Sequence, residues 1–214
     1  MKIWILLALA AVSARSLRPR DKFPAFKAKM VLDTHVSVLD SSTLAGNYFI
    51  LIFYPLDFTF VCPTELVAFS DSHEEFVKLN TRVFGISTDS HFSHLAWLAQ
   101  DRKQGGVGKL SFPLISDFSK QISRDFGFLV EDHDDELDGA SLRGLAIIDG
   151  KGIVRHMQIN DAPVGRSVDE VLRLVKAFKH TDEHGVVCPA NWRPGSKTII
   201  PEPEKKNEYF SSAN

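Results

Sequence analysis

Cysteine is nearly absent: the 214 residues hold two, Cys62 and Cys188. No Cys-x-x-Cys occurs, which excludes a zinc ribbon and a thioredoxin-type redox pair. Ser/His/Asp hydrolase chemistry lacks its usual Gly-x-Ser-x-Gly turn. There is no run of Lys or Arg and the net charge is −2, so nothing points to nucleic acid. The first apolar run, Ile3 to Val12, is about half the length that spans a bilayer, so no membrane anchor is expected. Eight histidines invite a metal reading, and His91 and His94 stand three apart on an expected helix. With no third ligand beside them they read as solvated helix histidines, and no metal or cofactor is expected.

What is present is enough for one domain with a sizeable core: 44% apolar residues, 16 of them Phe, to be buried together. The first residues stand apart. Lys2 precedes the apolar run, Ser13 and Ala14 follow it, and cleavage after Ala14 would put Val12 and Ala14 at the small-residue positions. That reads as a secretory signal peptide over residues 1–16, against a buried N-terminal helix as the alternative. The destination is then the endoplasmic reticulum or the outside of the cell, and the Ser-Ser-Ala-Asn ending carries no retention signal. Two cysteines in such a chain read by default as one structural disulfide.

The chain is organised around Phe53 to Glu65, FYPLDFTFVCPTE. Ahead of it, Tyr48 to Phe53 is an unbroken apolar run that suits a strand buried on both faces. Pro55 and Asp57 stop the strand. Pro63 is well placed as the first residue of a helix, since its missing N–H has no partner there. Leu66, Val67, Phe69, Phe76 and Val77 give that helix an apolar face out to about Asn80. Cys62 therefore stands where a buried strand gives way to a helix N-terminus, and unpaired N–H groups there favour a thiolate. Thr59 can offer its hydroxyl to the same pocket and Pro55 can wall it from water. The position equally suits a small buried hydrophobe.

Residues 17–27 read as an extended lead-in and 29–46 as short strands with a turn at Ala45 to Asn47. Further strands are expected at Thr81 to Asp89 and Leu110 to Ser116, with helices at Ser90 to Asp101 and Lys120 to Phe126. Glu131 to Asp138 is an acidic loop. Leu142 to Ile148 and Ile153 to Asn160 flank Asp149-Gly150-Lys151-Gly152, a hairpin signal. Ser167 and Glu170 form a capping box for a helix with Val168, Val171, Leu172, Val175 and Phe178 inward and Gly185 as C-cap. From Val186 the tail, with four prolines, is poor core material. Alternating strands and helices make the fold class α/β, a central mixed sheet flanked by helices, with an extended C-terminal tail.

FYPLDFTFVCPTE also resembles the peroxidatic signature of the typical two-cysteine peroxiredoxins. Gly105 to Gly108, Leu142 to Asp149, Val164 to Glu170, Asp182 to Gly195 and Tyr209-Phe210 follow in that family's order, so the similarity runs from about residue 23 to the end. The resemblance implies a thioredoxin-like fold over residues 17–185, with a tail at 186–214 carrying a resolving cysteine. It implies that Cys62 reduces hydrogen peroxide and organic hydroperoxides, and that Cys188 of a second copy closes an intersubunit disulfide. Thioredoxin or a related thiol reductant then reopens it. It assigns Arg143 to hold the thiolate, Thr59 to bond the peroxide, Pro55 to shield the sulfur, and Glu65 and Arg166 to orient Arg143. It further implies an antiparallel homodimer and a decamer of five dimers. Gly105, Gly106 and Gly108 with Tyr209 and Phe210 resemble the features that slow local unfolding and favour overoxidation, although Val107 stands where leucine is usual. The rival readings are a holdase chaperone or redox-signalling protein, and a secreted structural protein with one intrachain disulfide.

Overall fold

The structure, a computed structural model, describes residues 16–213, so the expected signal peptide lies almost wholly outside the described residues. Seven strands form one sheet: β1 Lys27–Leu32, β2 His35–Asp40, β3 Tyr48–Phe53, β4 Thr81–Ser87, β5 Leu114–Ser116, β6 Arg143–Ile148 and β7 Val154–Asn160. Their order is β2-β1-β5-β4-β3-β6-β7. β3, β4 and β5 run parallel, while β6 and β7 on one side and β1 and β2 on the other are antiparallel. The helices are α1 Cys62–Asp71, α2 His73–Lys78, α3 His91–Ala99, α4 Gln121–Asp125, α5 Val168–His184 and α6 Lys206–Ala213. No described helix is long and apolar enough to cross a membrane.

β3 is an interior strand beside the middle one, β4, and every one of its residues is apolar and buried. Tyr48, Ile50 and Ile52 face one core with Leu66 and Phe69 of α1, Trp97 of α3, and Val171, Leu172 and Val175 of α5. Phe49, Leu51 and Phe53 face the other, with Phe126, Phe128, Ile148 and Ala146. A fully buried side chain of this size is worth about 1.5–3 kcal/mol, so this strand anchors both layers. Its C-terminal end carries the loop to Cys62.

Several expectations need correcting. Cys62, not Pro63, is the first residue of α1, and Pro63 follows it in the first turn. The helix expected to reach Asn80 breaks at Ser72 into α1 and α2, and Val77 is 59% exposed rather than inward. The strand expected from Leu110 is only Leu114–Ser116. Half of the capping box forms: Ser167 accepts from the Glu170 N–H at 3.3 Å, while the Glu170 carboxylate turns to Arg173. The tail is less bare than its prolines suggest, because Trp192 is buried and α6 closes the chain.

Candidate active site

Cys62 is fully buried at the head of α1, where Val61 provides no side-chain cap. Pro63 carries no N–H, and the Thr64 and Glu65 N–H groups donate to the Val61 carbonyl at 3.0 and 3.3 Å. The helix therefore contributes the positive end of its dipole near the sulfur rather than a direct N–H bond. Arg143, first residue of β6, reaches across from the strand next to β3. Its Nη1 donates to Cys62 Sγ at 3.3 Å and to Glu65 Oε2 at 2.9 Å, and its Nε donates to the Ala162 carbonyl at 2.6 Å. Gly144 follows it for a steric reason: a Cβ there would sit 2.2 Å from the Phe128 ring. Three hydrogen bonds from two of its nitrogens thus hold the guanidinium, one of them on the thiol.

Glu65 lies one turn into α1 and is gripped by two arginines. Arg166 donates from its backbone N and its Nε to Oε1, both at 2.7 Å, and from Nη2 to Oε2 at 2.9 Å. Its Nη1 reaches the carbonyls of Phe53 at 2.8 Å and of Gly144. Burial works against the charged carboxylate, but the hydrogen bonds and charge of Arg166, then the charge of Arg143, outweigh it and hold the Glu65 carboxyl below its ordinary range. So α1, the end of β3, β6 and the lead into α5 meet at one carboxylate.

The structure brings Cys62, Glu65, Arg143 and Arg166 together. Pro55 is buried in the loop before α1. Thr59 is half-buried and its hydroxyl donates to the Leu56 carbonyl at 2.9 Å, which leaves its oxygen as an acceptor. Cys188 lies apart from Cys62, half-buried with Sγ 3.9 Å from the Ala177 carbonyl of α5, and both are free thiols. Gly105 and Gly108 have positive φ, and a Cβ at Gly106 would lie 2.2 Å from the Gln100 carbonyl oxygen. Trp97 donates to the Gly105 carbonyl at 3.1 Å. Tyr209 and Phe210 pack ring to ring on α6, with Phe210 half exposed.

A set of residues that the sequence reading missed pins the Pro55-to-Val61 loop. His94, expected on a solvated face, is fully buried, with Nδ1 2.8 Å from Asp57 Oδ2 and Nε2 3.3 Å from the Ile115 carbonyl. Asp57 also accepts from Tyr54 Oη at 2.8 Å and Ser93 Oγ at 2.7 Å, and its N–H donates to Asp89 Oδ2 at 2.9 Å. Burial, then the Asp57 charge, push the Tyr54 phenol well above its ordinary value. The same two causes, in the same order, raise the Asp89 carboxyl. His94 stands three residues before Trp97, hence on the inward face of α3, and that spacing was the available signal.

A thioredoxin-like sheet holding one buried thiol against a guanidinium at a helix N-terminus defines a thiol-reactive member of that fold. Comparisons with known proteins narrow it. Residues 19–157 match the AhpC/TSA family, and residues 177–212 match the C-terminal domain of 1-Cys peroxiredoxin. Bovine (Bos taurus) peroxiredoxin-2 is 55% identical over 191 residues, 89% of this chain and 94% of its own. The human (Homo sapiens) mitochondrial thioredoxin-dependent peroxide reductase is 53% identical over 89% of this chain and 73% of its own. The reduced crystal structure of Plasmodium vivax 2-Cys peroxiredoxin is similar at a TM-score of 0.86 and 38% identity, over 90% of this chain and 98% of that one. The chain belongs to the AhpC/TSA family, as a typical two-cysteine peroxiredoxin.

Proposed function

We propose that this chain is a thioredoxin-dependent peroxide reductase in which Cys62 attacks and Cys188 resolves. The observation that carries the reading is the buried Cys62 Sγ 3.3 Å from Arg143 Nη1. A fixed guanidinium stays charged and donates in a fork, so it stabilises the thiolate and the oxygen that leaves. The thiolate sulfur displaces one peroxide oxygen, the O–O bond breaks, and the hydroxide or alkoxide released takes up a proton. Cys62 is left as a sulfenic acid. Thr59, its own hydroxyl committed to Leu56, accepts a hydrogen bond from the peroxide, and Pro55 keeps water from the sulfur. Glu65 and Arg166 set the angle of Arg143. The Cys188 thiol of a second copy condenses with the sulfenic acid, releasing water, and thioredoxin reduces the resulting disulfide.

Residues 1–16, read from Lys2 and the apolar run to Val12, form a cleaved leader. The rest follows the resemblance: 17–185 form the peroxidase domain and 186–214 the resolving tail. The dimers assemble in fives, which sedimentation of the reduced protein tests. Gly105 to Gly108 and Tyr209-Phe210 slow the opening of the site, so excess peroxide gives a sulfinic acid on Cys62; intact mass that never gains two oxygens would contradict this. The leading assay is peroxide-dependent NADPH consumption with thioredoxin and thioredoxin reductase. Turnover is expected in wild type and is expected to be lost in Cys62→Ser and in Cys188→Ser. An inactive wild type that still suppresses aggregation of an unfolded client would favour the chaperone reading.

A further inference from the structure

The Glu170 carboxylate, which would have completed the capping box, is bound by Arg173 in a fork, from Nε at 2.6 Å and from Nη2 at 2.7 Å. The remaining nitrogen, Nη1, donates to the Trp192 carbonyl at 3.1 Å. Trp192 is itself buried, lies 5.0 Å from the His180 ring of α5, and donates from Nε1 to the Ser196 carbonyl. Four residues before Trp192 the tail lays Cys188 against the Ala177 carbonyl, Sγ to O 3.9 Å. Ala177 stands four residues after Arg173, on the same face of α5. Arg173 is one-fifth exposed, so its charge is only partly screened.

We propose that Arg173, oriented by Glu170, is a positioning residue for the resolving step: it fixes the Cys188 segment on α5 and favours the anionic form of that thiol. This rests on the two-cysteine reading above. In that step the Cys188 thiolate attacks the Cys62 sulfenic sulfur of the other copy. The S–S bond forms, the S–O bond breaks, and the hydroxide that leaves takes the proton Cys188 gave up. Arg173 is the charged group that acts on the thiol; Glu170 faces Arg173, His156 of β7 and Arg193 of the tail, and His180 packs on Trp192. Burial pushes the Cys188 thiol up, and the Arg173 charge pulls it back. His156, whose Nε2 is buried without a partner, faces Glu170 and Arg173, and burial pulls its imidazole below its ordinary value.

The test needs no peroxide. In Cys62→Ser protein Cys188 is the sole thiol, and its alkylation rate by iodoacetamide is followed against pH. Adding Arg173→Met is expected to raise the midpoint by about one pH unit, the lower end of what a neighbouring opposite charge does. Adding Arg173→Lys, which keeps the charge and loses the fork, is expected to leave it near the starting value. An unmoved midpoint with Arg173→Met, or an equal rise with Arg173→Lys, would overturn the proposal. Glu170→Gln keeps a carbonyl oxygen to hold Arg173 and removes the negative charge that competes for it, so it is expected to lower the midpoint; a rise or no change would count against the proposal, whatever the Met variant does to folding. A one-unit rise lowers the thiolate fraction about tenfold and raises its nucleophilicity about threefold, so disulfide closure near pH 7 should slow about threefold in Arg173→Met. If peroxide-treated wild type gives no disulfide-linked dimer, the two-cysteine reading fails while the alkylation result still decides what Arg173 does to Cys188.

Discussion

At the scale of single residues, the site turns on Arg143 and the carboxylate that holds it. Arg143→Gln keeps a donor but removes the charge beside Cys62, and the second-order rate with peroxide should fall about 10²–10³-fold, as for loss of one fixed donor at a reacting centre. Arg143→Lys should recover only part of this, because a lysine cannot bond Glu65, the Ala162 carbonyl and Cys62 from one plane. Stopped-flow peroxide kinetics on both variants checks the order. Glu65→Gln leaves two buried guanidiniums without their shared anion, so it should destabilise the fold by about 3–5 kcal/mol in urea unfolding. Of these residues, Cys62 and Thr59 could be placed near one pocket from local sequence. Arg143, Glu65 and Arg166 were legible through the resemblance alone, because ion pairs across 78 and 101 positions leave no local pattern.

At the scale of elements, the loop between β3 and α1 is held shut by side chains rather than by backbone pairing. Tyr54→Phe removes one bond to Asp57 while leaving those from Ser93 and His94. The expected cost is about 1 kcal/mol, with faster amide exchange over residues 55–65. Unchanged exchange there would show that the loop is held elsewhere. β6 depends on Gly144 in a different way. Gly144→Ala drives a methyl into Phe128, costs about 1–3 kcal/mol and tilts Arg143 off Cys62, so stability and peroxide rate should fall together. The elements themselves were largely readable: β3, the β6–β7 hairpin and α5 all follow their apolar patterns. Where the reading failed, tertiary contacts had overridden local pattern. The break at Ser72 has no proline or glycine to announce it, and the inward His94 is a polar side chain buried through its contacts with Asp57 and the Ile115 carbonyl.

At the scale of the whole molecule, the site ties the neighbouring strands β3 and β6 to α1 and to the start of α5, so chemistry and stability share groups. Glu65 titrates below its ordinary value of 4.5 in the folded chain. A depressed carboxyl contributes stability that is fully present above that value and is lost as pH falls through the folded one. Acid unfolding of wild type should therefore show a component below pH 4.5 that is missing in Glu65→Gln; parallel curves would contradict it. The α/β class was readable from the order of strands and helices. The sheet order, with β1 and β2 beyond β5, was not, because it depends on pairings between distant segments.

The most direct test of the account is one round of peroxide, without reductant, on wild type, Cys62→Ser and Cys188→Ser, read by intact mass and non-reducing gels. Wild type should give a disulfide-linked dimer. Cys188→Ser should gain one oxygen as a trappable sulfenic acid, and Cys62→Ser should take up none. Oxygen on Cys188 in Cys62→Ser, with none on Cys62 in Cys188→Ser, would contradict the assignment of Cys62 as the attacking thiol.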